Sequence, residues 1–279
     1  MFSTILISIA KKEVLDNIRN KWIILITILF ASLTLLVSYA GSLFSEGWQD
    51  LQVTVGGMSA LVQILISIIG LMLGYAAIVG EVERGSMGSL LSMPTERLEI
   101  LLGKLIGLGS VLTITILIGF GIAGIVIGWN VPDVNYGEYL IFIGASILIG
   151  LVFLSIGLFL SCIFKKRSTA MGGAIFVWFL FSIIWQFIMV AIIIATGVIE
   201  NFESISIPDW YFGLQTINPL QSYSMLVSIN VGTAPNQQDI GSVLGYPSFI
   251  NNELLITVLI LWIIVCISIA IWRFNKKDI

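Results

Sequence analysis

The sequence has no histidine and only two cysteines among its 279 residues. The absence of histidine excludes a histidine general base, a histidine-ligated metal site and a histidine-ligated haem. Cys162 and Cys266 both lie in apolar stretches, where we expect packing residues and not a disulfide. The eight methionines are scattered, whereas a thioether copper site needs them clustered. We therefore expect no metal or cofactor to be held by this chain itself.

The motifs of nucleotide and hydrolytic sites are missing as well. Gly103-Lys104 is followed by Leu105, so the chain has no phosphate-binding loop of the form Gly-x-x-x-x-Gly-Lys-[Ser/Thr]. A Ser/His/Asp arrangement needs a histidine, and no intramembrane pair of aspartates is available for proteolysis. The sequence therefore indicates a protein that is not an enzyme. Its apolar spans also contain no charged residue for proton or ion coupling, so we expect the energy for any work to come from elsewhere.

Charged residues are scarce, at 10% of the chain against about 25% in soluble domains. Hydrophobic residues make up 58%, and the mean hydropathy is +1.05, so the bilayer must be the main solvent. We expect a single all-α, polytopic membrane domain over residues 1–279. Six apolar runs without Asp, Glu, Lys or Arg are long enough to cross the membrane: Trp22 to Phe44, Val55 to Val79, Leu105 to Trp129, Tyr139 to Phe164, Met171 to Ile199 and Leu254 to Trp272.

Lysine and arginine occur only in alternate segments between these runs. The basic residues are Lys11, Lys12, Arg19 and Lys21, then Arg84, Arg97 and Lys104, then Lys165, Lys166 and Arg167, then Arg273, Lys276 and Lys277. The positive-inside rule then places both termini in the cytoplasm. We expect the chain to be a multi-pass protein of the plasma (inner) membrane. The excess of positive charge on the inner side favours anionic membrane lipids of the inner leaflet, or an acidic partner surface, as partners. The net charge of -3 gives no reason to expect nucleic acid binding.

Two further segments predict helices outside the six spans. Residues 1–21 carry two apolar stripes that are rotated against each other, which predicts a bent interfacial helix beneath the membrane. Its basic residues follow the apolar ones, so we expect a retained segment and not a signal peptide. The long outer segment 200–253 contains an apolar stretch with Trp210 and Tyr223, broken by Pro219, which predicts short outer or re-entrant helices and not a seventh span.

The cytoplasmic segment 80–104 has the most informative pattern. Charged residues lead to Gly85, a short apolar helix and a break at Pro94. A second helix is predicted to start there, with Thr95 as the N-cap and Glu96 in the first turn. Such a loop presents a small helix to a partner below the membrane, although a solvated connector is the plain alternative.

The order of residues in this loop resembles the one between spans two and three of ATP-binding-cassette permeases of the second exporter class (ABC-2 type). The matching elements are Glu81-x-Glu83-x-Gly85-Ser86, Leu90-Leu91, Pro94-Thr95-x-Arg97 and Ile100-Leu101-Leu102-Gly103-Lys104. The interfacial helix, the six spans and the long outer segment match too, so the resemblance covers the whole chain. Within that class, Tyr75 to Glu81 and Ile217 to Tyr223 are similar to the maturation permeases of nitrous oxide reductase.

The resemblance implies a homodimer that sits on two cytoplasmic ATPase subunits, which bind the ATP and magnesium. It implies a coupling segment made of Glu81, Glu83, Arg84, Gly85, Ser86, Pro94, Thr95 and Arg97. An outer partner or gate would involve Trp210, Asn218, Pro219 and Tyr223. In the maturation subfamily it further implies a periplasmic accessory protein and a role in assembling a copper-sulfur centre.

Three functions follow from these expectations. The first is the permease subunit of an ATP-driven exporter, and the second is a scaffold that conducts nothing and passes ATPase motion to a periplasmic partner. The third is an exporter permease for lipids or drugs. The apolar spans do not identify a substrate.

Overall fold

The structure is a computed structural model that describes residues 2–18, 21–43, 51–91, 95–130, 135–196, 208–232 and 245–276. All regular secondary structure within these ranges is helical, as predicted. The helices are α1 (Phe2–Ile18), α2 (Lys21–Leu43), α3 (Leu51–Leu61), α4 (Ser67–Gly74), α5 (Val79–Glu83), α6 (Ser86–Leu91), α7 (Arg97–Asn130), α8 (Tyr136–Ile163), α9 (Arg167–Phe179), α10 (Trp185–Ala195), α11 (Asp209–Gln215), α12 (Pro219–Val231) and α13 (Asn252–Asn275). Single π-helical turns, Val62–Ile66 and Leu180–Ile184, join α3 to α4 and α9 to α10.

Five helical stretches of the described chain are long and apolar enough to cross a membrane: Val55–Glu83, Arg97–Trp129, Tyr136–Ile163, Arg167–Ala195 and Asn252–Asn275. They correspond to the second to sixth predicted spans. The first predicted span falls on α2, in which Thr27–Val37 is a shorter apolar helix. A multi-pass helical membrane protein is therefore confirmed, while the count of six and the cytoplasmic position of both termini stay predictions.

Helix α7 begins well before the predicted start of the third span. Arg97 is its first residue, and the main-chain oxygen of Glu96 accepts from the Ile100 N–H at 3.2 Å. The Glu99 carboxylate reaches back to the Glu96 N–H at 2.9 Å, as the third helical residue does in a capping box. The prediction of Thr95 as N-cap was therefore wrong by one residue, and Lys104 lies inside a long helix and not in a loop.

Helix α8 forms the centre of the bundle and packs against α4, α7, α12 and α13. Its approach to α4 requires glycine, because a Cβ on Gly70 would lie 2.7 Å from the Gly150 oxygen. A Cβ on Gly74 would lie 2.6 Å from the Leu154 oxygen. Small residues at this spacing allow the close helix approach that stabilises membrane bundles.

Helix α1 is continuous from Phe2 to Ile18 and packs along α7. The contact is again made at glycines, since a Cβ on Gly103 would lie 2.8 Å from Ile9 Cγ2 and one on Gly107 would lie 2.7 Å from the Ala10 oxygen. One side of the N-terminal helix is therefore covered by protein, and the helix has no break at the predicted bend. Its position beneath the membrane stays a prediction.

The outer segment contains two short helices, α11 and α12, as predicted. Asn218 is the N-cap of α12, and its side chain accepts from the Leu220 N–H at 2.9 Å. Pro219 occupies the first helical position, where its missing N–H costs nothing. Residues 200–207 and 233–244 of the outer segment lie outside the described residues.

Candidate coupling site

The second span ends in a turn that is held by α8. After Gly74 the chain turns over residues 75–78 before α5 begins at Val79. The hydroxyl oxygen of Ser161 accepts from the N–H groups of both Ile78 and Val79 at 2.9 Å. One buried side chain thus satisfies two donors at the start of α5, which would otherwise be orphaned. These two hydrogen bonds hold the start of α5, the helix that carries Glu81 and Glu83, against α8.

A buried ion cluster joins three helices at this end of the bundle. The Lys104 ammonium, only 2% exposed, lies 2.6 Å from Glu13 Oε1 and 2.8 Å from Glu81 Oε1. Lys12 approaches the same Glu81 oxygen at 3.8 Å from a more exposed position. Buried charges are tolerated only when they are paired and hydrogen-bonded. The cluster therefore ties α1, α5 and α7 together at one end of the second and third predicted spans.

Glu83 joins the same segment to the fifth span. Its Oε1 accepts a hydrogen bond of 2.7 Å from the main-chain N–H of Arg167, the first residue of α9. The Arg167 guanidinium turns towards the second span, 3.3 Å from the Tyr75 hydroxyl and 5.8 Å from the centre of that ring. A carboxylate at a helix N-terminus is favoured by the helix dipole.

The exit from α5 depends on Gly85, which has a φ of 73°. This left-handed conformation is open to glycine without steric cost. Before it, the Arg84 Nε donates to the Gly80 oxygen at 3.0 Å. After it, the Ser86 hydroxyl donates to the main-chain oxygen of Glu81 at 3.3 Å. The chain therefore reverses tightly and starts α6, the short helix predicted here.

The second half of the predicted segment contacts the last span. Arg97 donates to the main-chain oxygen of Phe274, and its guanidinium lies over that ring at 5.4 Å. Thr95 is half-buried just before α7, and Pro94 lies outside the described residues. The structure thus brings Glu81, Glu83 and Arg84 together with Gly85 and Ser86, and it places Arg97 against α13.

Several residues of this site were missed by reasoning from the sequence. They are the buried partners Glu13 and Lys104, the capping Ser161, and Arg167 and Phe274. Lys104 carried a signal, because a helix that starts soon after Pro94 makes it a helical residue. Its acidic partners are 91 and 23 residues away in the chain, a pairing that one sequence does not reveal.

The residues predicted for the outer side differ in exposure. Trp210 is 41% exposed, whereas Asn218 and Tyr223 are fully buried and Pro219 is buried as well. The Asn218 amide donates to the Phe181 oxygen at 2.8 Å, within the π-helical turn of the fifth span. Burial raises the pKa of the Tyr223 hydroxyl, which lies 3.4 Å from the Ser146 hydroxyl. These contacts connect the outer helices to α8 and to the fifth span.

Comparison with known proteins agrees with this architecture. Residues 7–279 match the model of the ABC-2 family transporter proteins. A probable ABC transporter permease protein NosY from Pseudomonas aeruginosa is 34% identical over 225 residues, which cover 78% of this chain and 80% of that protein. A probable NosY permease from Stutzerimonas stutzeri is 32% identical over 282 residues, covering 97% of this chain and 98% of the relative. The chain therefore belongs to the ABC-2 family of transporter proteins and is similar to the NosY permeases within it.

Proposed function

We propose that this chain is the permease subunit of an ATP-driven transporter and that the segment from Glu81 to Arg97 couples it to a separate ATPase. The observation that carries the proposal is the attachment of this segment to several helices at once. Glu81 is paired with Lys104 of α7, Glu83 caps α9, and Arg97 contacts Phe274 of α13. A partner that displaces α6 would therefore move the ends of the second, third, fifth and sixth predicted spans.

The arrangement suits the transmission of force better than catalysis. Lys104 pairs with Glu13 and Glu81, an ion cluster in which both signs are present and each charge serves to hold helices together. A rigid connection of this kind transmits a displacement without needing a chemical step in the chain. In this proposal ATP and magnesium bind to the partner ATPase, in accord with the missing phosphate-binding loop.

We further propose a homodimer that contacts two ATPase subunits through the inner face of the membrane. The helical stretch that corresponds to the fifth predicted span, Arg167–Ala195, has only 17% of its most apolar stretch buried within one chain, against 67% for Tyr136–Ile163. Its outward side presents large apolar residues such as Phe176, Phe187 and Ile194. A second copy packed on this span would cover them and place the two Glu83–Arg167 contacts close to the dimer axis.

The resemblance to the maturation permeases favours outward work during assembly of the copper-sulfur centre of nitrous oxide reductase, with a periplasmic accessory protein at the outer surface. The exposed Trp210 suits contact with that protein, whereas the buried Asn218 and Tyr223 suit a gate or a support. Two alternatives differ in what crosses the membrane: a scaffold that conducts nothing, and an exporter of lipids or drugs.

The deciding experiment reconstitutes the permease in liposomes with a candidate ABC-type ATPase from the same organism. We expect the ATPase to co-purify with the full chain and to hydrolyse ATP faster in its presence. Transport of a sulfur species that depends on ATP supports an exporter, whereas ATP-dependent rearrangement of an outer partner without transport supports the scaffold. Absence of any bound or stimulated ATPase would overturn the proposed function.

A further inference from the structure

A cavity of about 730 Å³ opens beside the ion cluster, between the second and third predicted spans. This volume lies within the range of about 300–1,000 Å³ that is common for ligand sites. Its walls come from α1, α2, α4, α5, α7 and the start of α9. The cavity is thus bordered by the same helices that Lys104 and Glu83 tie together.

The two ends of the cavity have different chemistry. The lining contains three acids and three bases: Glu13, Asp16, Glu81, Arg84, Lys104 and Arg167. Glu81 and Arg84 lie at α5, and Lys104 and Glu13 are joined to Glu81 by the ion cluster. Beyond them, the walls are formed by Ile69, Met72, Leu73, Leu108 and Val111. Thr115, the last lining residue of α7, is about 16 Å from Lys104 along the helix. The cavity therefore has a charged part and a largely apolar part, and it extends about 16 Å along α7.

One carboxylate oxygen at the charged end lacks a partner within the described residues. Glu81 is 6% exposed, and its Oε1 receives the Lys104 ammonium, but its Oε2 is buried and has no hydrogen bond there. A buried, unpaired charged oxygen costs more than a hydrogen bond returns. A ligand that donates an N–H to this oxygen would remove that cost.

The three cations that line the cavity differ in their exposure and in their hydrogen bonds. Lys104 is buried and donates to two carboxylates. Arg84 and Arg167 are exposed, and each donates one of its N–H groups to a protein oxygen. A guanidinium has five donors, so both arginines retain N–H groups for a phosphate. The charged part of the cavity therefore offers Glu81 Oε2 as an acceptor for an ammonium, and Arg84 and Arg167 as donors for a phosphate.

We propose that this cavity binds an amine-bearing zwitterionic phospholipid, of the phosphatidylethanolamine type, from the membrane leaflet on its side. The ammonium donates to Glu81 Oε2, the phosphate accepts from Arg84 and Arg167, and an acyl chain lies along Met72, Leu73 and Leu108. An anionic headgroup fits less well, because it carries no ammonium to donate to Glu81 Oε2 and the residues that line the cavity include as many acids as bases. This inference rests on the membrane topology of the proposed function but needs no ATPase.

Native mass spectrometry of the full-length permease tests the proposal with three lipids that share dioleoyl chains. Phosphatidylethanolamine should bind about tenfold more tightly than phosphatidylcholine, whose quaternary ammonium has no N–H to donate, since a charged hydrogen bond is lost. Phosphatidylglycerol should also bind more weakly than the ethanolamine lipid. Soluble glycerophosphoethanolamine, which carries the headgroup alone, should compete poorly because it cannot fill the apolar end.

Two variants with matched controls locate the site. Glu81→Gln should bring the affinity for the ethanolamine lipid close to that for the choline lipid, whereas Glu96→Gln, an exposed acid outside the cavity, should leave the tenfold difference. Met72→Trp should weaken all three lipids by filling the apolar end. Ile106→Trp changes an exposed residue of α7 outside the cavity and should have no such effect.

The comparison of the three lipids on the unmodified chain tests the proposed lipid site even if a variant fails to fold. Equal affinity for the three lipids, or tighter binding of phosphatidylglycerol, would overturn the assignment of the headgroup. Equal competition by the soluble headgroup compound would overturn the lipid and indicate a small soluble ligand. A lipid preference that survives without any bound ATPase would uphold this inference while the proposed function fails.

Discussion

The Glu83 carboxylate accepts a hydrogen bond of 2.7 Å from the main-chain N–H of Arg167, 84 residues later in the chain. The residue before that helix, Lys166, provides no side-chain cap of its own. The side chain of Glu83, at the end of α5, therefore supplies the acceptor that normally comes from the N-cap residue of the helix itself. The end of the second span and the start of the fifth are held as one unit by this bond.

The first prediction follows from this bond. Glu83→Lys places a cation at the N-terminus of α9, where the helix dipole disfavours it, and removes the acceptor. We expect the variant to insert in the membrane and to separate ATP hydrolysis by the bound ATPase from outward work. Glu83→Gln retains an oxygen that accepts the Arg167 N–H and should remain coupled. Assays of ATPase and of transport or maturation on reconstituted complexes measure the difference, and full coupling in the lysine variant would show that the loop is only a connector.

The buried ion cluster makes a prediction about stability. Lys104→Met leaves the carboxylates of Glu13 and Glu81 buried without their close cation, which should cost about 3 kcal/mol or more. The detergent-solubilised variant should show a lower melting temperature when thermal unfolding is monitored by size-exclusion chromatography. Combining the change with Glu13→Gln and Glu81→Gln should recover most of the loss.

Lys11→Met is the matched control for that experiment, because Lys11 is exposed on the neighbouring helix α1. Its melting temperature should stay close to that of the unmodified chain. A decrease of the same size in both variants would mean that loss of positive charge in general, and not the buried pairing, sets the stability.

The contact between α4 and α8 gives a prediction about packing. Gly74→Ala would bring a methyl group to 2.6 Å from the Leu154 oxygen and 2.8 Å from the Leu158 nitrogen. Main-chain atoms cannot rotate away, so the helices must separate and the variant should be destabilised by about 1–3 kcal/mol. Gly144→Ala on α8 meets nothing within 4 Å and should unfold at the same temperature as the unmodified protein. Thermal unfolding measures both, and equal stability would contradict the close approach.

The sequence predicted the parts of this fold that depend on local pattern. Five of the six apolar runs correspond to long apolar helices. They could be recognised because a bilayer span needs a continuous run of about 20 apolar residues. The short helices before the last span were likewise expected from Pro219 and the flanking aromatics. The largest difference between a predicted span start and the observed helix start is at α7. The third span was predicted to begin at Leu105, whereas the helix begins at Arg97, directly after the contact between Glu96 and Glu99.

The candidate site was predicted less completely, for a physical reason. The loop residues from Glu81 to Ser86 formed a visible motif, whereas their partners Glu13, Ser161 and Arg167 come from distant parts of the chain. Such pairings depend on which helices pack together, and glycines such as Gly74 and Gly103 permit many packings. The burial of Lys104 follows only after α1 has been placed on α7.

Membrane topology can be tested with two new cysteines in a chain that lacks Cys162 and Cys266. Lys166 and Glu253 are both exposed, and the distribution of lysine and arginine places them on opposite sides of the membrane. An impermeant thiol reagent applied to intact cells should label Glu253→Cys, and Lys166→Cys only after the membrane is opened. Labelling of both positions from outside would contradict the orientation proposed here.

The last prediction concerns the turn at Gly85. Its φ of 73° strains a β-branched side chain, while an ideal Cβ at this position meets nothing within 4 Å. Gly85→Val should therefore cost about 1–3 kcal/mol in the turn through its backbone alone and redirect α6. Gly85→Asn adds a side chain of similar size that tolerates the left-handed region and should act almost like glycine. We expect the valine variant to insert and dimerise but to lose co-purification of the ATPase or coupling to it, and the asparagine variant to keep both. If the two variants behave alike, the direction of α6 does not matter for coupling, and the segment from Glu81 to Arg97 does not act through its geometry.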